Sequence, residues 1–487
     1  MDIIFNLLRR KLLGEIAVEI LQYLDVNDLN AAENVSTVWR EAVISGKLWE
    51  KLFKRNVVLH PPWKKMNSIV GKQQVDSNTP FILEEDEEDH LLNEQMYYKK
   101  LCLKIADSLN ILDKNWETGN YQEEIVLRGP VVGPVNSITF LMNEKHIVRH
   151  VDSEKTFQFF NRWSLELEET IPSRTYLSGN NHSHCFVTCF DFSDELLAVG
   201  YGNGVVDVVG RKSIEETLHS FRDFDWAFND HSIDEDDEPT FATEKVILSP
   251  KQQYFLSYLY TATSYFLTLR KIKNSKEMTI AHQLQLDENV EELVNLYMDD
   301  FYIVLFIRSR TNRGPSEEMF EIRSTETFTP LHSFQVQGVV SAYHYLNGLL
   351  VIAKRIENHQ FLRVWDTKTG VSIWNVDLDK EKIVDLRIIS DKYIVSVNDH
   401  GELKQWDLHT VLDHAVPADQ ALLHSIGSSK NLSTCVGGGM VADEYQVVLF
   451  GFFRTAPIKG QKEFPIIVSL DFMKGQNRVK RPLPQLY

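Results

Sequence analysis

The sequence predicts an α+β multidomain chain: a small all-α segment and a linker helix, followed by a seven-bladed, all-β propeller. Three observations carry this expectation. Up to about residue 112, apolar residues recur at helical spacing. From about Glu123, short alternating β-branched and aromatic runs take over, separated by turn residues. Within that second part a strand-end mark recurs seven times. Trp365-Asp366 and Trp406-Asp407 are the clearest, with echoes at Phe160-Asn161, Val209-Gly210, Leu269-Arg270, Ile322-Arg323 and Leu470-Asp471.

Residues 8–57 hold three short amphipathic helices. Ile16, Ile20, Leu21 and Leu24 share helical spacing in the first. Asp28 stands where it could cap the second, which carries Leu29, Ala32, Val35 and Val38-Trp39. The third holds Leu48, Trp49, Leu52 and Phe53. A core this small is marginal without a partner. Residues 58–92 contain Pro61, Pro62, Pro80 and the acidic run Glu84–Asp89, and read as a flexible linker. Residues 93–122 resume helical spacing with Tyr97, Leu101, Ile105, Leu109 and Leu112, then reach Asn115-Trp116.

The strand-rich part spans 123–474. Its shortest mark-to-mark intervals match the ~40–45 residues of a four-stranded blade. The longer ones hold insertions such as acidic Asp234–Glu238. Beyond the last mark, residues 475–487 are basic, polar and proline-containing, so the final blade lacks an outer strand. Glu124–Arg128 is placed to supply it and close the ring. The tail reads as a frayed end sooner than as a nuclear signal.

Composition excludes several classes. The 487 residues carry 51 Lys and Arg against 69 Asp and Glu, a net charge of −18. That balance argues against coating nucleic acid or an anionic membrane. Four cysteines fit a reducing compartment and not a disulfide scaffold. No apolar run approaches the ~18 residues of a membrane span. The N-terminus lacks the long apolar stretch and small-residue cleavage site of a secretory signal. The expected location is cytoplasmic, nuclear or both.

Ile16-Ala17, Ile20-Leu21, Tyr23-Leu24-Asp25, Leu29, Ala31-Ala32-Glu33, Val35, Trp39, Gly46, Leu48-Trp49 and Lys51-Leu52 form a pattern that resembles an F-box. The closest resemblance is to the beta-transducin-repeat-containing F-box proteins. Asn115-Trp116 with Gly119, after a helix carrying Tyr98, Leu101 and Ile105, resembles the junction between F-box and WD-repeat propeller in that family. Three features depart from it. Leu8-Arg9 stands where the F-box usually opens with Leu-Pro, Gly129-Pro130 stands where blades often carry Gly-His, and two of the seven marks keep Trp-Asp. The propeller is therefore WD-repeat-like.

The resemblance implies the substrate-recognition subunit of a cullin-RING (SCF-type) ubiquitin ligase. The F-box would lay an apolar helical face on a small adaptor fixed to the cullin scaffold. The propeller would hold a protein target, phosphorylated or not. The chain itself would be no enzyme and would need no cofactor, nucleic acid or membrane. The alternative is a non-degradative interaction scaffold with a modified or lost adaptor interaction, motivated by Leu8-Arg9 and the eroded blades.

The adaptor-binding candidates are Leu8, Ile16, Ile20, Leu24, Leu29, Val35, Trp39 and Trp49. About half are expected to face the partner and the rest to fill the segment's own core. Relatives read a doubly phosphorylated Asp-Ser-Gly motif with arginines, but the blade segments that hold those arginines do not match here. The candidate replacements are Arg149, Arg308, Arg310, Arg313, Arg323, Arg363 and Lys404. Arg363 and Lys404 occupy equivalent places, two before Trp-Asp, where an outward strand position is the commoner role. The Arg308–Arg313 cluster beside Gly314-Pro315 reads as a loop.

Other constellations fail. His182, His184, Cys185 and Cys189 match no common zinc-finger spacing, and Cys189 continues into a strand. Gly200, Gly202 and Gly204 sit in a turn between strands, not between a strand and a helix. P-loop, Gly-x-Ser-x-Gly and His-Glu-x-x-His motifs are absent from the sequence. No metal site and no catalytic residue is expected.

Overall fold

The structure is a computed structural model that describes residues 14–75, 87–128, 140–151, 154–173, 186–211, 217–222, 242–261, 264–274, 277–286, 290–309, 317–378, 381–390, 392–399, 401–412, 421–426, 435–453 and 464–473. The chain divides into a helical unit, Met1–Gln122 with Phe472–Lys480, and a strand unit, Glu123–Asp471 with Arg481–Tyr487. Leu8-Arg9, Gly129-Pro130, His182, His184, Cys185, Asp234–Glu238, Arg310, Arg313 and the tail lie outside the described residues.

The helical unit comprises α1 (Gly14–Leu21), α2 (Val26–Glu33), α3 (Thr37–Ser45), α4 (Leu48–Leu59), α5 (Pro61–Val75) and α6 (Glu87–Thr118). The cap of α2 is Asp25 and not Asp28. Asp25 has extended backbone, and its Oδ1 accepts from the Asp28 amide at 2.8 Å, three residues into the helix. Ser36 caps α3 in the same way through the Trp39 amide. Gly46, at the end of α3, permits a close approach to α1, since a Cβ there would lie 2.7 Å from Val18 Cγ1. Arg55 on α4 donates to the Gln22 and Leu24 carbonyls at 2.6 and 2.9 Å, binding the exposed end of α1.

Residues 58–92 are not a flexible linker throughout. Pro61 and Pro62 open α5, where a missing amide costs nothing because first-turn amides have no intrahelical partner. Met66 and Val70, four apart on α5, are fully buried. The long helix begins at Glu87, inside the acidic run. Its buried side carries Leu101, Cys102, Ile105, Leu112 and Trp116, whereas Tyr97 is exposed. The Trp116 indole stacks on Phe472 at 3.7 Å between ring centroids, and Asn115 Nδ2 donates to the Phe472 carbonyl at 2.8 Å.

The strand unit is a seven-bladed propeller. Seven four-stranded antiparallel sheets span 140–172, 187–222, 242–285, 290–336, 339–377, 383–426 and 435–471. The seventh supplies three strands of its own, and Gln122–Arg128 pairs with Phe464–Asp471 as its outer strand, the closure expected from the sequence. All seven marks lie on the third strand of their sheet, including His359–Asp366 and Leu403–Asp407.

The first strands of five of the seven neighbouring blade pairs lie beside one another among the described residues. Polar side chains latch them across the gap. Asp191 Oδ2 accepts from the Leu248 amide at 2.7 Å, His344 Nδ1 from the Ile388 amide at 3.1 Å, and Asp385 Oδ2 from the Met440 amide at 2.7 Å. Burial raises the Asp191 carboxyl to about 6. At the seam between first and last blades, fully buried Arg162 donates to Asp443 Oδ1 at 2.7 Å and to Gln446 Oε1 at 3.2 Å.

Candidate adaptor face and cationic positions

Helix α1 sorts its apolar residues into two stripes. Ala17 and Leu21, four apart, are buried. Ile16 and Ile20, also four apart, are 49% and 47% exposed. Val35, after α2, and Tyr23, after α1, are exposed as well. Leu24 and Trp39 are half-buried against the helical core. Leu29 and Trp49 sit at 1% exposure inside that core and present no side-chain surface to a partner. Leu29 and Trp49 thus belong to the share of the candidates that fills the segment's own core, which apolar repeats at three and four do not separate from the exposed share. Leu8 lies outside the described residues. Tyr23, Val58 and Leu59 are exposed and were not among the adaptor-binding candidates. Val58 and Leu59 could have been noticed as adjacent apolar residues just before Pro61.

Trp49 has a polar role besides filling the core. Its indole donates to Glu33 Oε2 at 2.9 Å. The same oxygen lies 3.0 Å from Lys99 Nζ on α6. Glu33 is buried, so its charge is held by these two donors. Cys102 packs beside the Trp49 carbonyl, and burial pushes its thiol up to about 12, which leaves it an inert core residue.

The five described cationic candidates differ in how they are engaged. Arg308 is not on a loop but on strand Tyr302–Ser309, where it is bound by Glu292 and Glu318. Arg323 pairs with Glu321 at 2.5 Å and donates to the Phe328 carbonyl at 2.8 Å. Lys404 pairs with Glu381. Arg149 donates to Gln158 Oε1 from two nitrogens, at 2.9 and 2.7 Å, and burial lowers its pKa. Arg363 has no carboxylate partner among the described residues. Its one hydrogen bond is a long one to Asn375, 3.4 Å, and it lies over the Trp365 ring. Cys189 is in a strand, as expected, and is held against the Thr243 carbonyl with its thiol raised to about 12. Gly200 is required by that packing, since a Cβ would lie 2.5 Å from Cys189 Sγ.

Residues 15–55 match the F-box-like family model. The chain is similar to the F-box/WD repeat-containing protein lin-23 of Caenorhabditis elegans, 30% identical over 117 residues. It is also similar to F-box and WD repeat domain-containing 11-A of Danio rerio, 28% identical over 115 residues. These matches cover 21% and 22% of this chain, and the chain spans 18% of the length of each relative. Among solved structures, the Dos1 propeller aligns with 72% of the chain, covering 95% of its own, at 10% identity and a TM-score of 0.43. Kluyvelomyces marxianus Hsv2 aligns with 69%, covering 94% of its own, at 11% identity and a TM-score of 0.38.

Proposed function

We propose that the chain is the substrate-recognition subunit of an SCF-type ubiquitin ligase. The observation that carries this reading is the exposed apolar stripe of Ile16 and Ile20 on an F-box whose own core is complete without it. Water-exposed isoleucines on a helix with a filled core are the anchors that helix-in-groove recognition uses. In this reading the F-box binds the small ligase adaptor and, through it, the cullin. The propeller binds a protein target, phosphorylated or not. The chain contributes no bond chemistry. It raises the effective concentration of a target lysine near the conjugating enzyme, to the order of millimolar for a flexible tether.

The test is capture of the adaptor from cell extract by the full chain and by an Ile16→Ala, Ile20→Ala pair. The pair is expected to weaken capture tenfold or more while leaving the thermal midpoint of the chain within a degree or two, since neither side chain is buried. Undiminished capture by the pair would overturn the assigned face. Absence of adaptor and cullin from the full-chain capture would overturn the ligase reading and favour the scaffold.

A further inference from the structure

The turn after α1 holds an exposed aromatic ring between two clamped carbonyls. Ile16, Ile20 and Tyr23 stand at i, i+4 and i+7, so the apolar stripe of α1 continues onto that turn. Tyr23 is 74% exposed, the most exposed of the three. Its hydroxyl makes no hydrogen bond among the described residues. The end of an eight-residue helix ordinarily frays. Here the chain is held on both sides of the ring. Arg55 of α4 donates from one terminal nitrogen to the Gln22 carbonyl at 2.6 Å and from the other to the Leu24 carbonyl at 2.9 Å. Its guanidinium has no carboxylate partner among the described residues, so these two carbonyls are what engage it. The Tyr23 and Leu24 amides close turns onto the Ile20 and Leu21 carbonyls at 3.3 and 3.1 Å. A planar fork that bonds the residues before and after Tyr23 restricts the backbone that carries the ring.

Tyrosine is enriched among interface hot spots, and with two side-chain torsions it loses little entropy when it docks. A tyrosine on a restrained backbone loses less still. We propose that Tyr23 is a third anchor of the adaptor face and that Arg55 is the residue that positions it. This inference rests on the ligase reading, which names the adaptor as the occupant of the Ile16 and Ile20 stripe. Tyr23 continues that stripe, so the same partner covers it. The ring lies on apolar adaptor surface with its hydroxyl toward the wet rim. Arg55 points its terminal nitrogens at carbonyls of its own chain and acts on the adaptor through Tyr23.

The experiment measures the dissociation constant of the full chain for the purified small adaptor of the cullin ligase. It compares wild type, Tyr23→Ala, Arg55→Met and the two combined, with Ile16→Ala alone and combined with Arg55→Met as the control. Tyr23→Ala is expected to weaken binding about tenfold. Arg55→Met, which keeps the apolar stem, is expected to weaken it about three- to tenfold, because the competent turn is then populated only part of the time. Combined with Tyr23→Ala it is expected to add no further loss, whereas combined with Ile16→Ala the two losses multiply. If Arg55→Met does not fold, Arg55→Lys, which lacks the two-pronged fork, takes its place in the cycle. Undiminished binding by Tyr23→Ala, which removes an exposed side chain, overturns the anchor. Losses that multiply in both backgrounds are a general loss of stability or a separate contact, and overturn the positioning role. Absence of adaptor binding by the wild type fails the ligase reading and this inference together. Wild-type binding that Tyr23→Ala leaves intact fails this inference alone.

Discussion

His344 shows how a single side chain can couple the propeller to pH. Its Nδ1 accepts the Ile388 amide of the next blade, which only the unprotonated ring can do. Burial, with the neighbouring Arg387, pushes its pKa well below the usual histidine range. The unfolded chain binds this proton near pH 6.5 while the folded chain does not. Its stabilisation is therefore complete above about pH 7.5 and is lost as pH falls through the unfolded value. The loss grows across the interval between the unfolded value and the lowered folded one. Asp191 and Asp385, whose carboxyls burial raises, act in the opposite sense over part of that range. His344→Asn keeps an acceptor and removes the titration. Urea unfolding at pH 7 and pH 5 is expected to show a smaller acid loss in this variant than in the wild type. An unchanged difference would show that His344 is not the titrating group.

At the level of elements, the packing of α6 against the F-box helices turns on the Glu33, Trp49 and Lys99 group. The carboxylate is buried, and its two donors come from α4 and α6. Trp49→Phe keeps most of the ring but leaves the carboxylate short of one donor, at a cost of about 1–3 kcal/mol. Glu33→Ala leaves Lys99 unpaired beside the Trp49 ring and is expected to cost about 3 kcal/mol. Amide hydrogen exchange reports on both. Protection of α6 around Leu101 to Ile105 is expected to fall in each variant, more in Glu33→Ala. Protection in the blades is the internal control. The sequence marked Trp49 as an adaptor-binding candidate from its place in the F-box pattern, yet its partner Glu33 lies sixteen residues away and Lys99 further still. No local pattern links the three.

For the molecule as a whole, the propeller depends on joining its first and last blades. Two devices do this: the outer strand Gln122–Arg128 on the seventh sheet, and the buried Arg162 held by Asp443. Asp443→Ala leaves the Arg162 guanidinium buried with its charge uncompensated, and is expected to destabilise the strand unit by about 3–5 kcal/mol. Guanidinium unfolding followed by tryptophan fluorescence measures it; a loss below about 1 kcal/mol would mean that the strand alone carries the seam. By itself the sequence determined the class of this protein. The F-box pattern, the seven third-strand marks and the closing strand are all periodic or local signals, and each reappears in the structure, whereas the single helix read over Leu29 to Trp39 is two, α2 and α3, divided at Ser36. Only the tertiary structure decided which residues are available. It put Leu29 and Trp49 inside and Ile16 and Ile20 outside. It paired Arg308, Arg323 and Lys404 with carboxylates. Burial and charge pairing arise from residues brought together across blades and helices, and spacing along one chain carries no record of those neighbours.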